Sequence, residues 1–123
     1  MNKEIIIGNE TIQPGTRKTV LLDLPNSYAY SNNTMPVHVI HGKKEGPVLL
    51  VSAAIHGNEI NGTEIIRRLL NLKLLDRLHG TLIAVPIVNI YGFISQSRYL
   101  PDRRDLNRSF PGSKKGSMTS RLA

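Results

Sequence analysis

His56 and Glu59 stand three residues apart in the stretch His56-Gly57-Asn58-Glu59. In a helical turn or a tight loop that spacing lets an imidazole and a carboxylate face one point. A histidine nitrogen and a glutamate oxygen are two of the three protein ligands of a His2Glu catalytic zinc site, where water fills the remaining position. On its own an H-x-x-E pair is a common coincidence. Here it is followed by a loop rich in guanidinium groups, Arg98, Arg103, Arg104 and Arg108, a residue type suited to anionic small substrates. Arg103, Arg104, Lys114 and Lys115 read as solvated loop charge. His38 and His41 also tempt as metal ligands, but histidines in a half-exposed strand read first as surface or edge residues.

The elements that must carry these residues are legible around them. After the Gly46-Pro47 step, Val48 to Ile55 is an apolar run interrupted only by Ser52, the pattern of a parallel strand buried on both faces. Asn61 and Glu64 form a capping-box variant ahead of a helical pattern from Gly62 to about Leu78. Ile66, Leu70, Leu74 and Leu78 recur at four-residue steps there, and His79-Gly80 supplies a stop. Thr81 to Val88 reads as a second buried strand with Pro86 at its end or at a bulge. A strand-helix-strand unit with a right-handed crossover follows. His56 and Glu59 then fall at the carboxyl end of a strand, where open α/β sheets bind ligands.

Upstream, Ile5–Ile7 and Thr11-Ile12 are short extended pieces with Pro14-Gly15 as a turn. Arg17–Leu24, closed by Pro25-Asn26, and Val37–Gly42 read as strands, an antiparallel pair feeding a mixed sheet. Downstream, residues 89 to 112 lack a regular period, and their sparse aromatics and prolines argue for an ordered functional loop. Ser113 to Ala123 reads as a polar turn and the first turn or two of a helix.

With 123 residues and 40% apolar content the chain is one domain's worth of soluble globular protein. It contains no cysteine, which excludes disulfides and thiolate metal sites and leaves His/carboxylate sites open. No membrane-length apolar stretch or secretory signal is present, so a cytoplasmic location is expected, with no membrane partner. The net charge of +7 raises nucleic acid as a partner. The cations are dispersed, without aromatic interleaving or a recognisable nucleic-acid-binding motif, so no nucleic acid is expected.

Taken in order, His56-Gly-Asn-Glu59 after a strand, Asn89-Ile-Tyr-Gly92, Arg98-Tyr99 and Asp105-Leu-Asn-Arg108-Ser-Phe-Pro-Gly112 resemble the succinylglutamate desuccinylase/aspartoacylase family, a branch of the zinc carboxypeptidase-like fold. The resemblance spans about residues 36 to 123. It implies an α/β fold: a mixed β-sheet flanked by helices, the N-terminal part of a zinc-carboxypeptidase-like catalytic domain. Residues 1–35 lie outside the resemblance and read as a β-rich arm preceding that domain. The resemblance also implies a zinc-dependent amidohydrolase that cleaves the amide of N-acyl amino acids or similar small carboxylates.

By the same resemblance His56 and Glu59 would bind Zn(2+), and Asn107 and Arg108 would grip a substrate carboxylate. Arg98 would bind substrate and stabilise the oxyanion, while Asp105 would accept a hydrogen bond from His56. The family also carries a second zinc histidine and a glutamate base further on. After His56 the one histidine is His79, on the wrong side of the strand-helix-strand unit, and no glutamate follows Glu64. The chain is therefore expected to be the N-terminal portion of a longer enzyme, inactive alone, and to self-associate through uncovered apolar surface. The rival expectation is a non-catalytic basic α/β module that binds an anionic ligand or partner, with His56 and Glu59 unused.

Overall fold

The computed structural model describes residues 1–24 and 33–123. The expected stop at Pro25-Asn26 lies outside the described residues. Two short strands, β1 (Ile5–Ile7) and β2 (Glu10–Ile12), form an antiparallel hairpin. The main sheet contains β3 (Thr16–Asp23), β4 (Thr34–His41), β5 (Lys44–Ser52) and β6 (His79–Val85), in the order β3-β4-β6-β5. β3 and β6 both run antiparallel to β4, and β5 runs parallel to β6. This is the mixed sheet the alternating and apolar runs call for. Helix α1 (Asn61–Leu70) connects the two parallel strands; α2 (Ile90–Ile94) and α3 (Met118–Leu122) follow β6.

Two apolar clusters do different jobs. Ile12, Val20, Val37, Val39 and Val85 bury the face of the sheet under the β1–β2 hairpin. Leu24, Tyr91, Leu100 and Leu106 form the second, joined by partly buried Ile55 and Met118. That cluster fixes the long segment after β6 against the turn that carries His56. The segment is ordered as its aromatics and prolines suggest, and α3 is the short helix expected in the tail.

Several local expectations are corrected. β5 is not buried on both faces: it is the sheet's edge strand, and Val48, Leu49 and Leu50 are 66%, 59% and 64% exposed. An apolar run reports what a strand is suited to pack against, and among the described residues Val48, Leu49 and Leu50 are left without such cover. Helix α1 stops at Leu70, because Leu72 is extended, and a five-residue 3-10 turn (Lys73–Arg77) follows. The capping box does not form. The helix is capped at Ile60 without a side-chain bond, and the Glu64 carboxylate bonds Arg67 and Arg68 instead. His79-Gly80 opens β6 rather than closing a helix. Pro86 follows the strand's end, as required of a residue without an N–H. His41 is no surface residue. It is buried between Thr81 Oγ1 (2.8 Å) and the Lys3 carbonyl, partners too distant in sequence to anticipate. Among the described residues no helix is long and apolar enough to cross a membrane.

Candidate functional site

The turn that carries His56 begins where β5 and β6 end together. Their pairing runs past both strands: Ala53 N–H donates to Val85 O, Val88 N–H to Ala53 O, and Asn89 N–H to Ala54 O. Ala54 then takes a left-handed conformation with φ of 54°, uncommon for a residue with a Cβ and found where surrounding structure over-determines the backbone. That reversal directs the next residues across the carboxyl end of the sheet. Gly57 can follow because it lacks a side chain: a Cβ there would overlap the backbone of Gly92 and Phe93 in α2.

His56 sits between two carboxylates. Its Nδ1 lies 3.1 Å from Glu59 Oε2, and its Nε2 lies 2.9 Å from Asp105 Oδ1. The His56 side chain is 8% exposed, Asp105 17% and Glu59 60%. A neutral imidazole has one N–H. Once Nε2–H donates to Asp105, the Nδ1 lone pair meets a carboxylate oxygen, and those two acceptors require a cation between them. A second proton or a metal ion meets that requirement, and imidazole nitrogen with carboxylate oxygen is a donor set zinc accepts.

Arg98 closes the group. Its guanidinium lies 3.7 Å from Glu59 Oε1 and 3.6 Å from Asp105 Oδ2. Burial pushes the Asp105 carboxyl up, but it is outweighed by hydrogen bonds from His56 and the Asn107 N–H and by the charges of His56 and Arg98. The net direction is below the ordinary value. Asp105 also caps the 3-10 turn Leu106–Arg108, accepting from Asn107 N–H at 2.9 Å.

Of the residues singled out by sequence, the structure therefore gathers His56, Glu59, Arg98 and Asp105. Asn107 and Arg108 sit exposed on the turn that follows Asp105, and among the described residues their side chains bond to none of the other four. His79 pairs with Lys44 at the opposite end of the sheet, as expected. Among the described residues no group of three or more His, Cys, Asp or Glu is placed to hold a metal ion.

One residue in the neighbourhood had no role assigned from sequence. Asn89 is fully buried. Its carboxamide accepts from Gly92 N–H at 2.9 Å and donates to Ile55 O at 3.2 Å and Arg98 O at 3.4 Å. One side chain thus ties the residue before His56 to the backbone of Arg98 while capping α2. The motif Asn89-Ile-Tyr-Gly92 carried the signal: a cap residue directly after an apolar strand. Further along, Asp102 accepts from Arg104 N–H and from both the N–H and the hydroxyl of buried Thr119, pinning the arginine-bearing loop to α3.

Residues 45–123 match the succinylglutamate desuccinylase/aspartoacylase catalytic domain. N-alpha-acetyl-L-2,4-diaminobutyric acid deacetylase of Halomonas elongata is 34% identical over 90 residues, which cover 72% of this chain and 26% of that protein. An aspartoacylase family protein from Mesorhizobium loti superposes with a TM-score of 0.78 at 34% identity, covering 90% of this chain and 35% of its own. The product-bound ectoine utilization protein EutE (DoeB) of Ruegeria pomeroyi gives 0.76 at 34% identity, covering 87% and 34%. The chain thus spans about a quarter to a third of the length of these relatives.

Proposed function

This chain belongs to the succinylglutamate desuccinylase/aspartoacylase family, and from that premise we propose that it carries the His56/Glu59 part of a zinc site in a deacylase acting on N-acyl amino acids or similar small carboxylates. The observation that carries the reading is the position of His56, with a carboxylate against each ring nitrogen and Arg98 reaching both carboxylates. The deacetylase relationship supports the reaction class. The division into a β-rich arm over residues 1–35 and the N-terminal part of a catalytic domain over residues 36–123 belongs to the same proposal. Within the arm only the β1–β2 hairpin forms a sheet of its own; β3 pairs with β4 in the main sheet.

His56 through Nδ1 and Glu59 through Oε2 would hold the ion. When bound, zinc supplies Lewis acidity toward an amide carbonyl and lowers the pKa of water. Asp105 keeps the ring in the tautomer with the proton on Nε2, which leaves Nδ1 free to ligate. Arg98 is half exposed, so its guanidinium is available to the carbonyl oxygen of a bound amide and favours charge developing there. Arg108 and Asn107 present a planar fork and a carboxamide on the adjacent turn, suited to a substrate carboxylate. Two ligands give weak metal affinity, and the chain alone is expected not to turn over N-acyl amino acids.

Calorimetric zinc titration tests the reading. One ion per chain is expected, lost beyond detection in His56→Ala with the fold intact by circular dichroism. No binding to the intact chain would overturn it. Self-association through the open edge of β5 and the exposed Leu49, Leu50 and Ile65 is part of the same proposal. Sedimentation should show mass rising with concentration; a clean monomer throughout would count against it.

A further inference from the structure

At the amino ends of β5 and β6, across the sheet from His56, three segments distant in sequence surround an open cleft of about 610 Å³. They are the start of β3 from Gly15 to Arg17, the β4–β5 turn through Lys44, and Leu75 to His79. The volume falls within the roughly 300–1,000 Å³ of small-molecule sites.

Its charge is unbalanced. Arg17 is engaged by Asp76 (3.1 Å) and by the Leu70 carbonyl (2.8 Å). The side chains of Lys43, Lys44, Arg77 and His79 have no ion-pair or hydrogen-bond partner among the described residues. The walls are set by backbone: a Cβ at Gly42 would overlap the Leu78 carbonyl, and one at Gly80 would overlap the carbonyl of Pro47. With glycine at both places the β4–β5 turn packs directly on the segment entering β6, so cations from the two sides face the same space. Ile40, Leu75 and Leu78 add an apolar lining.

We propose that this cleft binds a small organic phosphate, its anionic group among Lys43, Lys44 and Arg77 and its body against Ile40, Leu75 and Leu78. Phosphate oxygens suit a set of unpaired cations, and an apolar lining suits a ring or chain attached to the phosphate. This site is separate from the His56 site, and the inference does not depend on the hydrolase reading.

The test is a titration of the 15N-labelled chain with adenosine 5′-monophosphate, followed by amide shifts. The expected result is saturable binding with shifts clustered at Gly15–Arg17, Gly42–Lys44 and Leu75–His79. Lys43→Gln and Arg77→Gln should each weaken it by about tenfold, the size expected for one hydrogen bond to a charged group, and His56→Ala should leave it unchanged. Several results would overturn the proposal. They are shifts centred on His56 and Asp105, shifts spread without saturation over the basic surface, wild-type affinity in both glutamine variants, or adenosine binding as tightly as its monophosphate.

Discussion

The two ends of the parallel strands handle charge in opposite ways. At the carboxyl end His56, Glu59, Asp105 and Arg98 answer one another in two imidazole–carboxylate bonds and two longer ion pairs. Buried side chains hold the flanking backbone: Asn89 bonds the carbonyls of Ile55 and Arg98, and Leu106, next in the chain to Asp105, is fully buried in the second apolar cluster. Of the cations lining the amino-end cleft, Arg17 has a carboxylate partner, and among the described residues Lys43, Lys44 and Arg77 project without one. A paired, braced cluster costs ordering entropy before any ligand arrives, and what it gains is geometry held for a ligand that needs direction. An unpaired set of cations attracts an anion without prescribing its orientation closely. The contrast teaches that the chain's net charge of +7 is not spread evenly over the two ends. The His56 site, with two carboxylates against one guanidinium, adds none of that excess, whereas the unpaired cations at the amino end are part of it.

The sharpest way to break this contrast is to discharge the braced end. Asp105→Asn keeps an oxygen for the His56 and Asn107 N–H groups but removes the negative charge that Arg98 and the imidazole face. Loss of such a partner behind a metal ligand typically lowers metal affinity about 10–100-fold. A zinc-chelator competition should show that loss, with the amino-end cleft unchanged. Equal zinc affinity in variant and parent would mean the carboxylate is a bystander and the two ends are less different than they look.

A smaller effect is expected from the brace itself. Burial pushes the Asp102 carboxyl up, but the Thr119 hydroxyl and N–H, the Arg104 N–H and the Arg104 charge outweigh it, so its folded value lies below the ordinary one. A depressed carboxylate stabilises the fold above its unfolded value of roughly 3.9, and that contribution disappears as pH falls through the lower folded value. Asp102→Asn should cost about 1 kcal/mol at neutral pH, read as a lower Tm. The variant should also lose less Tm than the parent between pH 5 and pH 2. Hydrogen exchange should speed up around Leu100 to Leu106 and α3, not around Gly42 to Lys44. Uniform acceleration would show that the brace serves the whole domain.

What could be read in advance follows from how local each cause is. His56 and Glu59 were legible because three residues of spacing and an apolar run before them are enough to place both in one turn. Asp105 and Arg98 came through the family resemblance, since nothing in local pattern says that residue 105 reaches residue 56. The positions of β3, β4 and β6 followed from alternation and apolar runs. The exposure of Leu49 and Leu50 did not, because hydrophobicity encodes a suitability for packing, not the presence of a neighbour. The helical pattern outruns the helix because Leu74 and Leu78 continue the four-residue step after the backbone has already turned at Leu72. The capping box lost to geometry: Asn61 is already inside the helix, and Glu64 is held by two guanidiniums that lower its carboxyl to about 2. Local pattern does not reveal the burial of His41, because its partners lie far off in sequence, Lys3 before β1 and Thr81 in β6.

The smallest expected effect tests the other side of the contrast. If Lys43 and Arg77 have no structural partner, removing both charges should leave the fold where it was. Exposed substitutions away from caps, cores and networks usually shift stability by no more than about 0.5 kcal/mol. Lys43→Gln/Arg77→Gln should therefore melt within a degree or two of the parent. Any gain should appear at low salt and fade as screening rises, because relief of like-charge crowding is itself screened. Zinc affinity should not move, since the sheet's full length separates these residues from His56. A fall of several degrees would reveal that the amino end is braced through those cations after all. Its openness to an anion would then be a by-product of structure, not the feature that distinguishes it from the end that holds His56.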